Sequence, residues 1–275
     1  MYTINSKAVI LATGGFGSNK DMLASYDESL RYAVSTNTPA ATGDGIVMAQ
    51  AVGADTVDME QIQLHPTVYQ STGALISEAM RSAGGVLVNA EGNRFVNDLS
   101  TRDVVSQAEL KQTDAYAYII LDQALVDGSK KAQEYVDPAK EMATSGATYE
   151  ELAANLGFDE TATANFVKTM EAWNDTVNNG TPDEFGRNNG LIALEVGPFY
   201  AIKIAPGIHH TMGGVKINTS AEVLNTANEA IPGLYAAGEV AGGVHGGNRI
   251  GGNAVTDIVV YGRIAAQSAI DYIGE

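Results

Sequence analysis

The stretch GGVHGGNRIGG, Gly242 to Gly252, sets six glycines around His245, Asn248 and Arg249. Glycine costs conformational entropy on folding and adds no packing, so this density implies a main chain that passes very close to something. The sequence carries 33 acidic against 16 basic side chains, a formal charge of −17, and a chain this acidic repels anions at long range. Any anion site must therefore be a local concentration of arginine, histidine and backbone N–H groups, and Arg249 among the glycines is a candidate for one. Glu78 and Arg81 form a second group, three residues apart and able to pair on one helical turn. By spacing alone such a pair is a solvated surface contact.

The elements that must position these residues follow from pattern. At 275 residues and 45% hydrophobic, the chain suffices for one large domain or two small ones. The acidic balance argues against nucleic acid or anionic membrane as partner, and no apolar run approaches the ~18 residues of a membrane span. A cytoplasmic location is the default expectation, with a secreted or periplasmic one left open. The absence of cysteine excludes disulfides, thiolate nucleophiles and thiolate metal sites. KAVILATGG (Lys7 to Gly15) reads as a buried parallel strand ending in a glycine turn, and TGDGIVMAQAVGA as a glycine turn feeding a helix that stops at Gly53. Gly84 and Gly85 precede a strand, after which NAEGN predicts a hairpin turn. TYEELAANLG opens with a capping box, Thr148 to Glu151, and closes at Gly157. Phe166, Met170, Trp173 and Val177 make one apolar stripe of a helix, a core-packing face. IPGLYAAGEV (Ile231 to Val240) reads as another buried strand, and GGNAVTDIVVYGRIAAQSAIDYI as a glycine turn followed by a long helix. The fold class is α/β: both ends of the chain are pieces of a doubly wound sheet, with a mixed helical insertion between them. Such sheets bind ligands at the carboxyl ends of their strands, so the turns at Gly14, Gly238 and Gly251 are candidate walls of one site.

AVILATGGFG, QLHPT, SEAMRSAGG, STRD, HHTMGG, GLYAAGEV and HGGNRIGGNAVTD occur in the order found in the fumarate reductase and succinate dehydrogenase flavoprotein family. From about Ala8 onward the sequence most resembles the soluble, flavocytochrome c-type fumarate reductases. The resemblance implies a partial doubly wound FAD-binding domain with an inserted α+β capping domain. Residues 1–64 would close the first FAD-domain segment, 65–208 would form the cap and 209–275 the returning FAD-domain segment. The family's G-x-G-x-x-G fingerprint for the ADP half of FAD does not occur: GGFGSN ends in Asn19 and GDGIVM in Met48. The chain is therefore expected to be the C-terminal part of a longer flavoprotein, binding FAD weakly or not at all by itself.

The resemblance also implies roles for individual residues. Thr13, Gly14, Gly15, His210, Glu239, Gly252, Asn253, Ala254 and Val255 would bind FAD, with Glu239 on the ribityl or ribose hydroxyls. Arg249 and His209 would hold one carboxylate of the substrate, and His65 and Ser77 the other. Arg102 would be the final proton donor, supplied by Glu78 and Arg81. The implied reaction is reduction of fumarate to succinate, with hydride from flavin N5 and a proton from Arg102. The partners would be a small dicarboxylate and an unidentified electron-donor module, with no metal. The alternatives are a reductase of another unsaturated carboxylate, such as urocanate or an acrylate, and an inactive fragment unable to retain FAD.

Overall fold

A computed structural model describes residues 3–274, which divide into two compact units, Met1–Leu64 with Ile208–Glu275 and His65–Gly207. The first unit opens with β1 (Val9–Leu11), α1 (Lys20–Tyr26), α2 (Asp44–Ala51) and β2 (Thr56–Val57). The chain passes into the second unit within β3 (Ile62–Tyr69), followed by β4 (Ala74–Leu75), α3 (Glu78–Ser82), β5 (Val86–Val88), α4 (Arg102–Glu109) and β6 (Ala117–Asp122). Then come α5 (Gln123–Gly128), α6 (Lys130–Val136), β7 (Ala143–Gly146), α7 (Tyr149–Leu156), α8 (Glu160–Asn179) and β8 (Phe199–Thr211), within which the chain returns. It ends with β9 (Gly214–Lys216), β10 (Glu222–Leu224), β11 (Ala230–Ala236), β12 (Ala241–Gly242) and α9 (Asn253–Gly274).

The first unit holds two small sheets, β1-β11-β10 and β12-β9-β2. β1 runs parallel to β11, pairing Val9 with Leu234 and Leu11 with Ala236, and α9 packs on both strands. The core of this unit joins Leu11, Phe16, Leu23, Ile46, Val223, Ala236 and Val240. Two strands predicted to be buried are so only at their ends. Val9 and Ile10 are 46% and 41% exposed, and in β11 only Tyr235 and Ala236 are buried. A parallel strand is dry only where both faces are covered, and at Val9 and Ile10, whose side chains point to opposite faces, neither is. α9 likewise buries Asp257, Ala265 and Ala269 while Val255, Ile258, Val259 and Val260 stay exposed.

In the second unit the sheet order is β4-β3-β8-β6-β5, with β7 also paired to β8. Every residue of β6 is buried, consistent with its central antiparallel place between β5 and β8. α7 begins where predicted: Thr148 Oγ1 accepts from Glu151 N at 3.2 Å, and Gly157 ends it in the left-handed region at φ 78°. The return bond of this box goes from Ala147 N, not Thr148 N, to Glu151 Oε2. α8 turns Phe166, Met170 and Trp173 inward as its stripe predicts. The NAEGN turn forms, closed by Asn89 N donating to Asn93 O at 2.9 Å, but no strand follows it to complete a hairpin. Arg94 and Asp98 instead tie the following segment into a buried ionic network.

That network has Asp98 at its centre. Its Oδ2 accepts from Arg94 Nη2 at 2.8 Å and Arg187 Nη1 at 3.1 Å, and its Oδ1 from Leu87 N at 2.7 Å. Both guanidinium groups lie 4.7 Å from the ring centroid of Trp173, whose Nε1 donates to Ile192 O. The Asp98 backbone carbonyl accepts from Arg81 Nη1, which links this network to α3. Removing the Asp98 carboxylate leaves two buried guanidiniums without their shared anion. Asp98→Ala is expected to lower unfolding free energy by about 3–5 kcal/mol in urea denaturation. A loss below about 1 kcal/mol, the scale of an exposed pair, would show that the network is not what holds this unit.

Candidate functional site

In the second unit the structure brings three of the singled-out side chains together around Glu78. Arg102, first residue of α4 and buried, donates from Nε to Glu78 Oε1 and from Nη2 to Oε2, both at 2.8 Å. This is the paired fork that a planar guanidinium makes with a carboxylate. Arg81 Nη2 lies 3.5 Å from Glu78 Oε1, and His65 Nε2 lies 3.9 Å from the same oxygen. Glu78 thus faces two arginines and a histidine. The surface pair that i,i+3 spacing suggests is corrected by burial: Arg81 is 2% exposed. Burial pulls the Arg81 guanidinium below the usual arginine range, against the pull of Glu78, Glu109 and Asp98.

His65 is wholly buried in β3 and held in one orientation. Its Nδ1 accepts from Thr67 N at 3.2 Å, with the Thr67 hydroxyl at 3.3 Å; that hydroxyl in turn donates to Ile76 O. A ring nitrogen that accepts a backbone N–H carries no proton, so the neutral imidazole bears its hydrogen on Nε2, the side of Glu78. Ser77, half-buried, caps α3 by accepting from Ala79 N at 3.2 Å. Its hydroxyl hydrogen is left to donate elsewhere.

The first unit carries the remaining residues. Gln63 Nε2 donates to both Asn248 Oδ1 (2.8 Å) and Arg249 O (2.7 Å), pinning the glycine-rich stretch at the residue that bears the guanidinium. Arg249 is 7% exposed, and its Nη1 reaches Ile250 O at 3.4 Å. His209 Nδ1 meets the Thr36 hydroxyl at 2.8 Å. That hydroxyl donates to Ile208 O at 3.3 Å, which leaves its lone pair for a proton on His209 Nδ1. His210 is buried, with Nδ1 3.5 Å from Glu239 Oε2 and its ring edge-on to His245 at 5.3 Å. His245 Nε2 lies 3.2 Å from Asp257 Oδ2, near the start of α9. Burial pushes the carboxyls of Glu239 and Asp257 up. The Thr211 N–H and hydroxyl oppose this at Glu239, and His245 opposes it at Asp257.

Several of these partners were not singled out from sequence. Gln63 and Thr36 are ordinary polar residues whose function as props appears only once strand and loop meet. Glu109 gave no apolar signal: the buried face of α4 is Arg102, Val105, Ser106 and Glu109 at i, i+3, i+4 and i+7, and of these only Val105 is hydrophobic.

The sequence matches the FAD binding domain family over residues 1–255. The chain belongs to that family. It is 49% identical over 267 residues to the NADH:fumarate oxidoreductase of Klebsiella pneumoniae, covering 97% of this chain and 28% of that protein. It is 39% identical over 279 residues to the urocanate reductase of Eggerthella lenta, covering 98% of this chain and 45% of that protein. The open conformation of a flavocytochrome c3 fumarate reductase superposes with a TM-score of 0.79 at 47% identity, covering 97% of this chain and 46% of that one. The chain spans less than half the length of each of these.

The cofactor of an FAD binding domain can be tested against the residues of the first unit. Gly14 and Gly252 sit at φ 77° and 85°, and a Cβ built on either meets nothing within 4 Å. Left-handed backbone with an open side is what close passage along a ring or a phosphate requires. A Cβ on Gly15 would instead collide with Thr211 Oγ1 and come within 2.7 Å of Glu239 Oε1, so Gly15 leaves room for the hydroxyl and the carboxylate to meet there. Glu239 Oε1 is fixed by Thr211 N at 2.9 Å, a stationary acceptor for hydroxyl groups. Thr13, Asn253 and Val255 are exposed, and Ala254 is half-buried, beside this open backbone. These residues fit FAD.

The His65 geometry gives a direct check. Nitrogen-15 NMR of the imidazoles is expected to show His65 as the neutral tautomer protonated at Nε2; a proton on Nδ1 would contradict the bond from Thr67 N.

Proposed function

We propose that this chain supplies the reacting residues of a flavin-dependent reductase of a small unsaturated dicarboxylate, converting fumarate to succinate. The observation that carries this reading is the fork of Arg102 on Glu78, with buried Arg81 behind the same carboxylate and His65 beside it. A buried arginine whose counter-ion is shared with a second buried arginine holds positive charge and a replaceable proton in one place. The similarity to fumarate reductases supports the choice of substrate.

Bound FAD would supply a hydride to one alkene carbon. The residues of this chain do the rest. Arg249, a planar fork held by the Gln63 clamp on its own backbone, binds one carboxylate with His209. His65, offering Nε2–H, and the Ser77 hydroxyl bind the other. Fixing both carboxylates orients the double bond, and orientation with preorganised charge supplies most of the rate. As carbanion character grows on the second carbon it becomes basic enough to take a proton from a guanidinium, although arginine at pKa above ~12 is otherwise a poor acid. Arg102 gives that proton. Arg81 then protonates Glu78, and Glu78 returns the proton to Arg102. The electron donor is a redox module beyond the residues of this chain.

Titration of the purified chain with FAD comes first. Saturable binding lets turnover be measured on the chain itself, whereas no binding would refute the reading for this chain taken alone. In the FAD-loaded protein, Arg102→Ala is expected to lower fumarate turnover by about 10²–10⁴-fold with FAD still bound. Near-normal turnover in that variant removes Arg102 from the acid role. Arg249→Lys keeps the charge and loses the fork, so it should raise KM for fumarate; an unchanged KM argues against a carboxylate clamp. Urocanate and acrylate run alongside decide the substrate, since faster turnover of either would displace fumarate.

A further inference from the structure

The two groups assigned to the second carboxylate, His65 and the Ser77 hydroxyl, come from different places, β3 and the cap of α3. Two other hydroxyl residues set where they stand. Thr67 serves both sides: its N–H donates to His65 Nδ1, its hydroxyl donates to Ile76 O at 2.6 Å, and its carbonyl accepts from Ile76 N at 2.9 Å. Tyr135 reaches the same segment from α6, 58 residues beyond Ser77 in the chain. Its hydroxyl accepts from Ser77 N at 3.1 Å and donates to Leu75 O at 3.2 Å. A backbone N–H can only donate, so the phenol hydrogen goes to Leu75 and the oxygen lone pair to Ser77. The ring that carries this hydroxyl is 8% exposed and belongs to the same core cluster as Ile76. Ser77 is then held everywhere but at one atom. Its N–H goes to Tyr135, its carbonyl accepts from Met80 N at 3.0 Å, and its Oγ accepts from Ala79 N. What remains is the hydroxyl hydrogen, the part a carboxylate needs. α3 has only five residues and no stability of its own, so its cap must be placed from outside.

We propose that Tyr135 is a specificity-determining residue of this site: by fixing the Ser77 backbone it presets, with Thr67, the hydroxyl and imidazole pair that receives a second carboxylate. It thereby favours dicarboxylates over acids with a single carboxylate. The proposal rests on the reading of Ser77 and His65 as ligands of that second carboxylate. Tyr135 is a positioning residue and acts through Ser77. Donors already in place need no ordering when the ligand arrives, whereas a cap free to shift is ordered at the expense of affinity. An acid with one carboxylate owes nothing to this corner, so its binding is indifferent to Tyr135.

The first measurement needs no cofactor. Amide hydrogen exchange on the purified chain is expected to show Ser77 N–H protected, and an unprotected Ser77 overturns the proposal. Tyr135→Phe removes one oxygen and keeps the ring. It is expected to speed exchange at Ser77 by about 3–10-fold, the scale of one hydrogen bond, while the amides of β6 stay as protected as before. No change at Ser77, or an equal rise throughout β6, counts against a local role. Should the variant not fold, proton NMR of the unaltered chain decides: a Tyr135 hydroxyl proton close to the Ser77 amide supports the bond, and its absence overturns it. In the FAD-loaded protein Tyr135→Phe should raise KM for fumarate about 3–10-fold with kcat nearly kept, and leave the inhibition constant of acrylate unchanged. An equal loss for both acids overturns the specificity role. The same substitution should add nothing where Ser77 is already alanine, and a full effect there would show that Tyr135 does not act through Ser77. The underlying reading fails separately: Ser77→Ala would then leave KM for fumarate unchanged while the exchange result at Ser77 stands.

Discussion

Asp98 is the residue on which the second unit turns. Its carboxylate neutralises Arg187 and, together with Asp183, Arg94, and its backbone carbonyl holds Arg81. Arginine does not lose its charge on burial as lysine can, so each buried guanidinium demands an anion or a set of carbonyls. Arg187 illustrates the second solution, donating to the carbonyls of Gly85, Arg81 and Gly190 as well as to Asp98. The same residue that stabilises the core therefore sets the position of the arginine behind Glu78. Structure and site share one electrostatic framework.

The first unit solves a different problem with different means. Its candidate ligand residues are carried on backbone that glycine leaves open, and open backbone is mobile unless something holds it. Gln63 does so with two hydrogen bonds from one amide nitrogen, and Asp257 holds His245 from the start of α9. Glu239 is fixed by Thr211 through both an N–H and a hydroxyl. Glycine provides access and buried side chains provide register.

What was legible in the sequence was what local rules govern. The α7 box, the α8 stripe and the glycine stops depend on residues a few positions apart, and they formed as the pattern implied. Burial did not follow in the same way. KAVIL and IPGLYAA read as buried because their residues are apolar, but apolar composition only permits burial, and a covering layer decides it. The Glu78 and Arg81 pair departed in the opposite direction on one side only: its i,i+3 spacing is that of many exposed pairs, and only the packing of α3 against the Asp98 network reveals that Arg81 is buried while Glu78 stays partly exposed. Ser77 was legible as a hydroxyl yet not as a helix cap, because α3 has only five residues and too weak a pattern to announce its start.

The position of Glu78 explains why two arginines suit this arrangement better than a lysine or histidine in either place. A lysine buried as deeply as Arg81 would tend to surrender its proton to the fold, and a buried histidine likewise, leaving the carboxylate uncompensated. Arginine stays cationic through such burial, so both neighbours of Glu78 remain donors and the carboxylate remains ionised between them. Burial still brings Arg81 down from its ordinary range, which would lower the cost of the neutral state that the proposed relay asks of it. With a chain charge of −17, positive potential at this point cannot come from the protein at large. It comes from guanidiniums kept dry, Arg81 and Arg102 sharing the one carboxylate of Glu78.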